Sequence, residues 1–184
     1  MNASVTYWDE KMKKRWEGLS FPPFVGDGHV ESLRSRVVCR WQPPGKGWVK
    51  LNFDGASHGN PGQAGIRCSV HNWESKEIDI LVSPAVIKTN NWVELMALVE
   101  GLHLCRKLGV KNLDIEGESA IIVNALRKGN MPNWRLNTLL SKAIGLCKGF
   151  DRFTLNHIYR KGNKRADELA NMGADGIKVL SDPP

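Results

Sequence analysis

The apolar and polar positions of the chain follow two periods, and the first is that of a strand. Leu51 and Phe53 alternate with Asn52 and Asp54, the pattern expected of a strand with one face on a core and the other solvated. A run of small, turn-forming residues follows, from Gly55 to Gly65. This pattern predicts a hairpin. The same reading along the chain predicts strands at 49–56, 64–72, 76–83, 111–117 and 152–160.

Helical periodicity lies between the later strands. Residues 90–108 carry a broad apolar face that ends at Gly109, and shorter helices are predicted at 119–128, at 135–148 and in "NKRADELANMGADG". A meander of three strands followed by helix-linked strands predicts an α/β fold. We therefore expect a five-stranded mixed sheet, an antiparallel meander plus parallel strands, with helices on both faces.

The first 47 residues differ from the rest of the chain. Trp8, Met12 and Trp16 fall on one side of a short predicted helix, and "WQPPGKGW" is typical of a linker. We expect an N-terminal basic and aromatic arm with its linker at 1–47, one folded domain at 48–176 and a C-terminal tail at 177–184. The arm is interpreted as an exposed or docked segment, with a dedicated binding element as the alternative.

Composition narrows the choice of partner and compartment. The 184 residues are 41% hydrophobic, and 26 Lys and Arg against 19 Asp and Glu give a net charge of +7, which suits a polyanion such as nucleic acid. No signal pattern or membrane-length apolar run appears, so we expect a soluble intracellular protein, nuclear or cytoplasmic. Four scattered cysteines predict reduced, mostly buried thiols: Cys39, Cys68, Cys105 and Cys147.

Four acids recur at the edges of predicted elements: Asp54, Glu94, Glu118 and Asp167. Each has a structural explanation, because acids early in helices favour the helix dipole and a hairpin strand can carry a solvated acid. Their flanking motifs, "DGASHGNPGQAG", "TNNWVELMAL", "IEGES" and "HIYRKGNKRADELAN", decide between the alternatives. In this order they resemble the signatures of type 1 ribonuclease H, and most closely the reverse-transcriptase-like ribonuclease H domain of plant retroelements. The resemblance covers residues 48 to about 174.

The resemblance implies a ribonuclease H-like fold and a metal cage. Asp54, Glu94, Glu118 and Asp167 match the family's four carboxylates, which hold two Mg²⁺ ions for which Mn²⁺ can substitute. Hard ions of this kind prefer oxygen ligands. Glu118 departs from the family, which usually has Asp there, and the added methylene puts activity in question. Glu116, in the strand predicted just before Glu118, is the acid that could partly substitute for it.

The resemblance also implies contacts to nucleic acid. Asn60, Asn90 and Asn91 match positions that contact the nucleic acid, and amides suit 2′-hydroxyl groups. For Asn90, helix N-capping is the structural alternative. Ser57 matches a hydroxyl near a DNA phosphate. Two further residues are candidates for assisting the leaving group: His157, carried over as a catalytic residue, and Arg160, carried over as a nucleic-acid-binding residue.

The implied function is a metal-dependent endonuclease that hydrolyses the RNA strand of RNA/DNA hybrids by a two-metal mechanism and leaves 5′-phosphomonoesters. The alternative is a weakened or inactive nucleic-acid-binding module derived from a retroelement, and a third hypothesis is a protein adaptor that uses the Trp8 and Trp16 arm. We expect a monomer that binds RNA/DNA hybrid or double-stranded RNA, with no membrane contact. Arg67 and Cys68 also depart from the family, which commonly has a glycine pair there; the sequence leaves open whether Arg67 faces solvent or core.

Overall fold

A computed structural model describes residues 41–158 and 179–180 of the chain. Residues 1–40 of the predicted arm and linker, the predicted last helix and the predicted site residues Arg160 and Asp167 lie outside the described residues. Within the described part the elements occur in this order: β1 Val49–Gly59, β2 Gly62–His71, β3 Glu77–Lys88, α1 Asn90–Lys107, β4 Asn112–Gly117, α2 Ala120–Lys128, a 3-10 turn Trp134–Leu136, α3 Asn137–Cys147, β5 Arg152–His157 and β6 Val179–Leu180.

The strands form one mixed sheet in the order β5-β4-β1-β2-β3-β6. The antiparallel pairs β1–β2 and β2–β3 form the meander, while β4 runs parallel to β1, and β5 to β4. The predicted five-stranded mixed sheet is therefore confirmed. A sixth strand of two residues lies in the predicted C-terminal tail and pairs with Leu81 and Val82 at the outer edge of β3.

The hydrophobic core lies between the sheet and the three described helices. Helix α1 packs on β1 and β2, and α3 packs on α1. Leu51 and Phe53 point into this core and are fully buried, together with Leu98 and Leu102 of α1. Period-two alternation in β1 thus places every second residue on the opposite face of the sheet.

That opposite face was predicted to be solvated, and this prediction is wrong. Lys50 and Asn52 are each 3% exposed and Asp54 is 5% exposed. Part of the cover comes from residues just before β1, since the Trp41 indole donates to Asn52 Oδ1 at 3.0 Å and Lys50 Nζ donates to Gln42 O at 2.7 Å. Alternation shows which residues share a face, but it does not show what covers that face.

A polar network fills this covered face. Lys50 Nζ forms ion pairs with Glu116 and, at 3.3 Å, with Asp114. Asn52 Nδ2 donates to the second oxygen of Glu116 at 3.1 Å, and Thr154 Oγ1 donates to Asp114 at 2.6 Å. The network therefore links β1, β4 and β5 across the sheet, and Glu116 is held by its bonds to Lys50 and Asn52.

The thiols of Cys68, Cys105 and Cys147 are free and buried, which confirms the prediction for three of the four cysteines; Cys39 lies outside the described residues. Burial raises the pKa of all three, to about 12 for Cys105 and Cys147. Because the thiolate is the reactive form, these thiols should be inert while the protein is folded.

We therefore expect a Cys39→Ser variant to react with less than one equivalent of Ellman's reagent at pH 8 in buffer, and with about three after unfolding in guanidinium. The substitution removes the one thiol outside the described residues, so the count reports the buried three. Rapid modification of two or more thiols in native buffer would contradict the burial.

No helix within residues 41–158 is long and apolar enough to cross a membrane.

Candidate active site

The site begins where β1 meets the first turn of α1, beside Asp54. Gly55 permits this approach, because a Cβ atom on Gly55 would lie 2.5 Å from the backbone nitrogen of Glu94 and 2.5 Å from the carbonyl carbon of Val93. No side chain fits at that distance, so the strand and the helix touch at Gly55. The contact brings the residue after Asp54 against the backbone of Glu94.

Gly55→Ala is accordingly expected to lower the free energy of unfolding by about 1–3 kcal/mol, since the backbone of α1 or β1 must shift to admit the methyl group. Gly45→Ala is the matched control, because a Cβ there meets nothing within 4 Å and its effect should stay within about 0.5 kcal/mol. Urea denaturation measures both variants. Equal stability of the two variants would contradict the close approach of the two backbones at Gly55.

Glu94 and Glu118 line one open cleft of about 350 Å³. Asn90, Asn91, Ser119, His157 and Ile158 complete its wall. The cleft therefore gathers the start of α1, the loop after β4 and the end of β5. Five of the residues predicted from the sequence meet here: Asn90, Asn91, Glu94, Glu118 and His157.

The loop that carries Glu118 is fixed from both sides. Ser119 is the N-cap of α2, and its hydroxyl accepts a bond from Ile122 N at 3.4 Å. His157 Nε2 lies 2.9 Å from the carbonyl oxygen of Glu118, and because a carbonyl oxygen only accepts, the ring nitrogen donates. Ile158 N donates to Gly117 O at 3.1 Å. His157 thus holds the Glu118 backbone beside the end of β5.

The hairpin turn between β1 and β2 approaches the same end of α1. Asn60 Oδ1 accepts from Asn90 N at 3.2 Å, which satisfies one of the backbone donors that a helix start leaves open. The N-cap itself is Thr89, so the alternative that Asn90 caps α1 is wrong. Ser57 Oγ lies 2.6 Å from Gly59 O and 3.0 Å from Lys88 O, so its hydroxyl ties the turn to the end of β3.

The side chains offer carboxylate oxygens, which are the donors that Mg²⁺ prefers. Three of the four predicted metal ligands, Asp54, Glu94 and Glu118, are within the described residues, and Asp167 is outside them. Among the described residues no three His, Cys, Asp or Glu side chains group closely enough to hold a metal ion. The donor chemistry fits a hard divalent cation, and the described acids alone do not form a complete site.

Two buried cations on the face of the sheet that carries Asp54 were not predicted from the sequence. Arg67 is only 2% exposed, so it does not face solvent. It is the β2 partner of Asp54, so its side chain lies on the same face of the sheet as Asp54 and not on the core face with Phe53. Lys50 is the second buried cation, and it forms an ion pair with Glu116. The signal for Lys50 was the period-two alternation in β1, which puts Lys50 on the same face as Asn52 and Asp54.

Comparison with known proteins identifies the family of this chain. A model of the reverse transcriptase-like family matches residues 52–173. Ribonuclease HI of Halobacterium salinarum is 29% identical over 164 residues, which cover 82% of this chain and 81% of that protein. An Arabidopsis thaliana protein, whose ribonuclease H name is provisional, is 31% identical over 174 residues, 88% of this chain but only 26% of its own length.

A solved structure shows the same fold. The crystal structure of LC11-RNase H1 in complex with an RNA/DNA hybrid has a TM-score of 0.65 and 25% identity, and the match covers 69% of this chain and 96% of that one. The chain belongs to the type 1 ribonuclease H family, in its reverse transcriptase-like branch. The predicted family is confirmed.

Proposed function

We propose that this chain is a divalent-metal-dependent endonuclease that hydrolyses the RNA strand of RNA/DNA hybrids and leaves 5′-phosphomonoesters. The observation that carries the proposal is the cleft in which Glu94 and Glu118 lie with Asn90, Asn91 and His157. Membership of the ribonuclease H family and the likeness to a ribonuclease H1 bound to a hybrid support the choice of substrate. The protein acts as a monomer in this proposal.

The carboxylates are assigned to two Mg²⁺ ions, with Mn²⁺ as a substitute. When bound, such a pair would supply a hydroxide-like water as the nucleophile and positive charge that stabilises the leaving oxygen. Asp54, Glu94, Glu118 and Asp167 would hold the ions. Asp54 lies on the central strand of the sheet and is not among the residues that line the cleft, whereas Glu94 and Glu118 line it from the start of α1 and from the loop after β4.

The polar residues around the cleft are assigned to the substrate. Asn90 and Asn91 offer amide groups that both donate to and accept from 2′-hydroxyl groups, which distinguishes RNA from DNA. Asn60 positions the start of α1 through its bond to Asn90. Ser57, on the same hairpin, is assigned to contact a DNA phosphate. His157, or Arg160 outside the described residues, assists the leaving group.

A second candidate function is a nucleic-acid-binding module with little or no turnover. Glu118 favours it, because its carboxylate is one methylene further from the backbone than that of the usual Asp, and a displacement of about 1 Å can cost roughly a hundredfold in rate. This candidate predicts binding of hybrid or double-stranded RNA without cleavage.

One experiment separates the two candidates. The purified chain is incubated with a hybrid labelled on the RNA strand, in Mg²⁺, in Mn²⁺ and in EDTA, beside a known ribonuclease H as positive control. The proposal expects cleavage of the RNA strand that EDTA abolishes, with products that a 5′-phosphate-dependent exonuclease degrades. Binding without cleavage under conditions where the positive control cuts would establish the second candidate instead.

Glu118→Asp is expected to raise the cleavage rate of the hybrid, by between several-fold and about a hundredfold, because it returns the carboxylate to the usual distance from the backbone. The matched control is Glu74→Asp, which shortens an exposed acid in the turn after β2 and should leave the rate unchanged. A lower rate in Glu118→Asp would mean that this site is adapted to the longer acid.

A further inference from the structure

Arg67 occupies an unusual position for a cationic side chain. It is 2% exposed and sits in the centre of β2, directly opposite Asp54 of β1, which is itself 5% exposed. Residues paired in this way in an antiparallel sheet have Cβ atoms about 4.5–5.5 Å apart and point to the same face. The guanidinium and the carboxylate therefore share one buried region of the sheet.

The charges on this face divide into two groups. Four charged side chains are buried among the described residues, namely Lys50, Asp54, Arg67 and Glu116. Lys50 forms ion pairs with Glu116 and Asp114, on the side of β1 that faces β4. On the side that faces β2, Arg67 and Asp54 are opposite one another. Buried charges require compensation, and this register supplies a cation for Asp54 from within the chain.

We propose that Arg67 is the internal counter-ion of Asp54 when no metal is bound, and that it competes with a divalent cation for that carboxylate. The proposal rests on the proposed function only in taking Asp54 as a metal ligand. A divalent ion that binds Asp54 meets a fixed positive charge beside it, and like charges repel strongly at this burial. Arg67 thereby stabilises the metal-free fold and weakens the binding of the ion.

The first test measures the pairing without metal. Thermal unfolding in EDTA is followed for the wild type, Arg67→Met, Asp54→Asn and the double variant. Arg67→Met should lower Tm by roughly 5–15 °C, because it leaves a buried carboxylate without its cation. The double variant should unfold at a higher temperature than the sum of the two single losses predicts, since neither charge remains.

Two further variants keep this test decisive. Arg67→Lys retains the charge and should lose less Tm than Arg67→Met, whereas Lys142→Met removes an exposed cation and should change little. If Arg67→Met does not fold, the double variant is still expected to fold. Additive losses, or a double variant no more stable than Arg67→Met, would overturn the proposal.

The second test measures the competition by calorimetric titration with MgCl₂ and no nucleic acid. Arg67→Met should bind Mg²⁺ with an apparent Kd roughly tenfold lower than the wild type. Asp54→Asn should bind more weakly than either. Equal affinity of Arg67→Met and the wild type would overturn the competition. Absence of Mg²⁺ binding in every variant would instead contradict the proposed metal site, while the pairing measured in EDTA would stand by itself.

Discussion

Asp54→Asn is expected to lower the rate of hybrid cleavage by about a thousandfold or more at saturating Mg²⁺. The amide keeps the shape of the side chain but loses the charge that a cation requires, and the position is 5% exposed in the central strand of the sheet. Single-turnover cleavage of a labelled hybrid measures the chemical step apart from substrate binding.

The control for this prediction is Asp151→Asn, which makes the same chemical change at an exposed position before β5 and should retain full activity. Circular dichroism of Asp54→Asn checks that the variant is folded. If the folded variant keeps more than a tenth of the wild-type rate, Asp54 does not have the role proposed for it.

Lys50→Met is expected to lower the free energy of unfolding by about 3–5 kcal/mol, the range found when one partner of a buried ion pair is removed. Methionine has a similar length, so the packing is largely preserved, but Glu116 and Asp114 lose their cation. Since a domain of this kind is typically stable by about 5–15 kcal/mol, the loss is a large share of the total.

Urea denaturation measures this loss, with Lys142→Met as the control for an exposed lysine. Adding Glu116→Gln to Lys50→Met should recover part of the stability, because the uncompensated carboxylate is removed. A loss below about 1 kcal/mol would mean that water reaches the network and that the pair is no stronger than a surface ion pair.

The sequence predicted those parts of the fold that depend on local pattern. The helix at 90–108 is observed at Asn90–Lys107, because its apolar face is long and ends at turn-forming residues. The period-two alternation in β1 assigned Asn52 and Asp54 to one face correctly. What covers that face was not predictable, since Trp41 reaches it from outside the strand and no periodicity marks a single docked indole.

The orientation of Arg67 shows how strands predicted too short conceal a strand pairing. The strands predicted at 49–56 and 64–72 left a long connection between them, whereas the observed hairpin has only Asn60 and Pro61 between β1 and β2. In an antiparallel hairpin each step away from the turn on one strand is matched by a step on the other, so a two-residue turn fixes the pairing of every residue. With the turn located, Arg67 must face Asp54.

The candidate site was predicted only in part, because some of its contacts depend on how strands pair and not on the pattern within one strand. Motif order identified Glu94, Glu118 and His157, and the structure brings them to one cleft. The bond from His157 to the Glu118 backbone depends on the parallel register of β4 and β5, which pairs Gly117 with His157 and has no signal in either strand alone. Asp167 and Arg160 stay predictions.

The docking of Trp41 has a practical consequence for shortening the chain. Its indole bonds to Asn52 and its ring lies beside His71, with centroids 5.0 Å apart, while the Lys50 ammonium is 5.5 Å from the ring centre. A fragment that starts at Trp48 would strip this cover from the strand that bears Asp54 and admit water to the Lys50 pairs. Deletions meant to examine the arm alone should therefore stop before Trp41, so that a change in behaviour can be attributed to the arm itself.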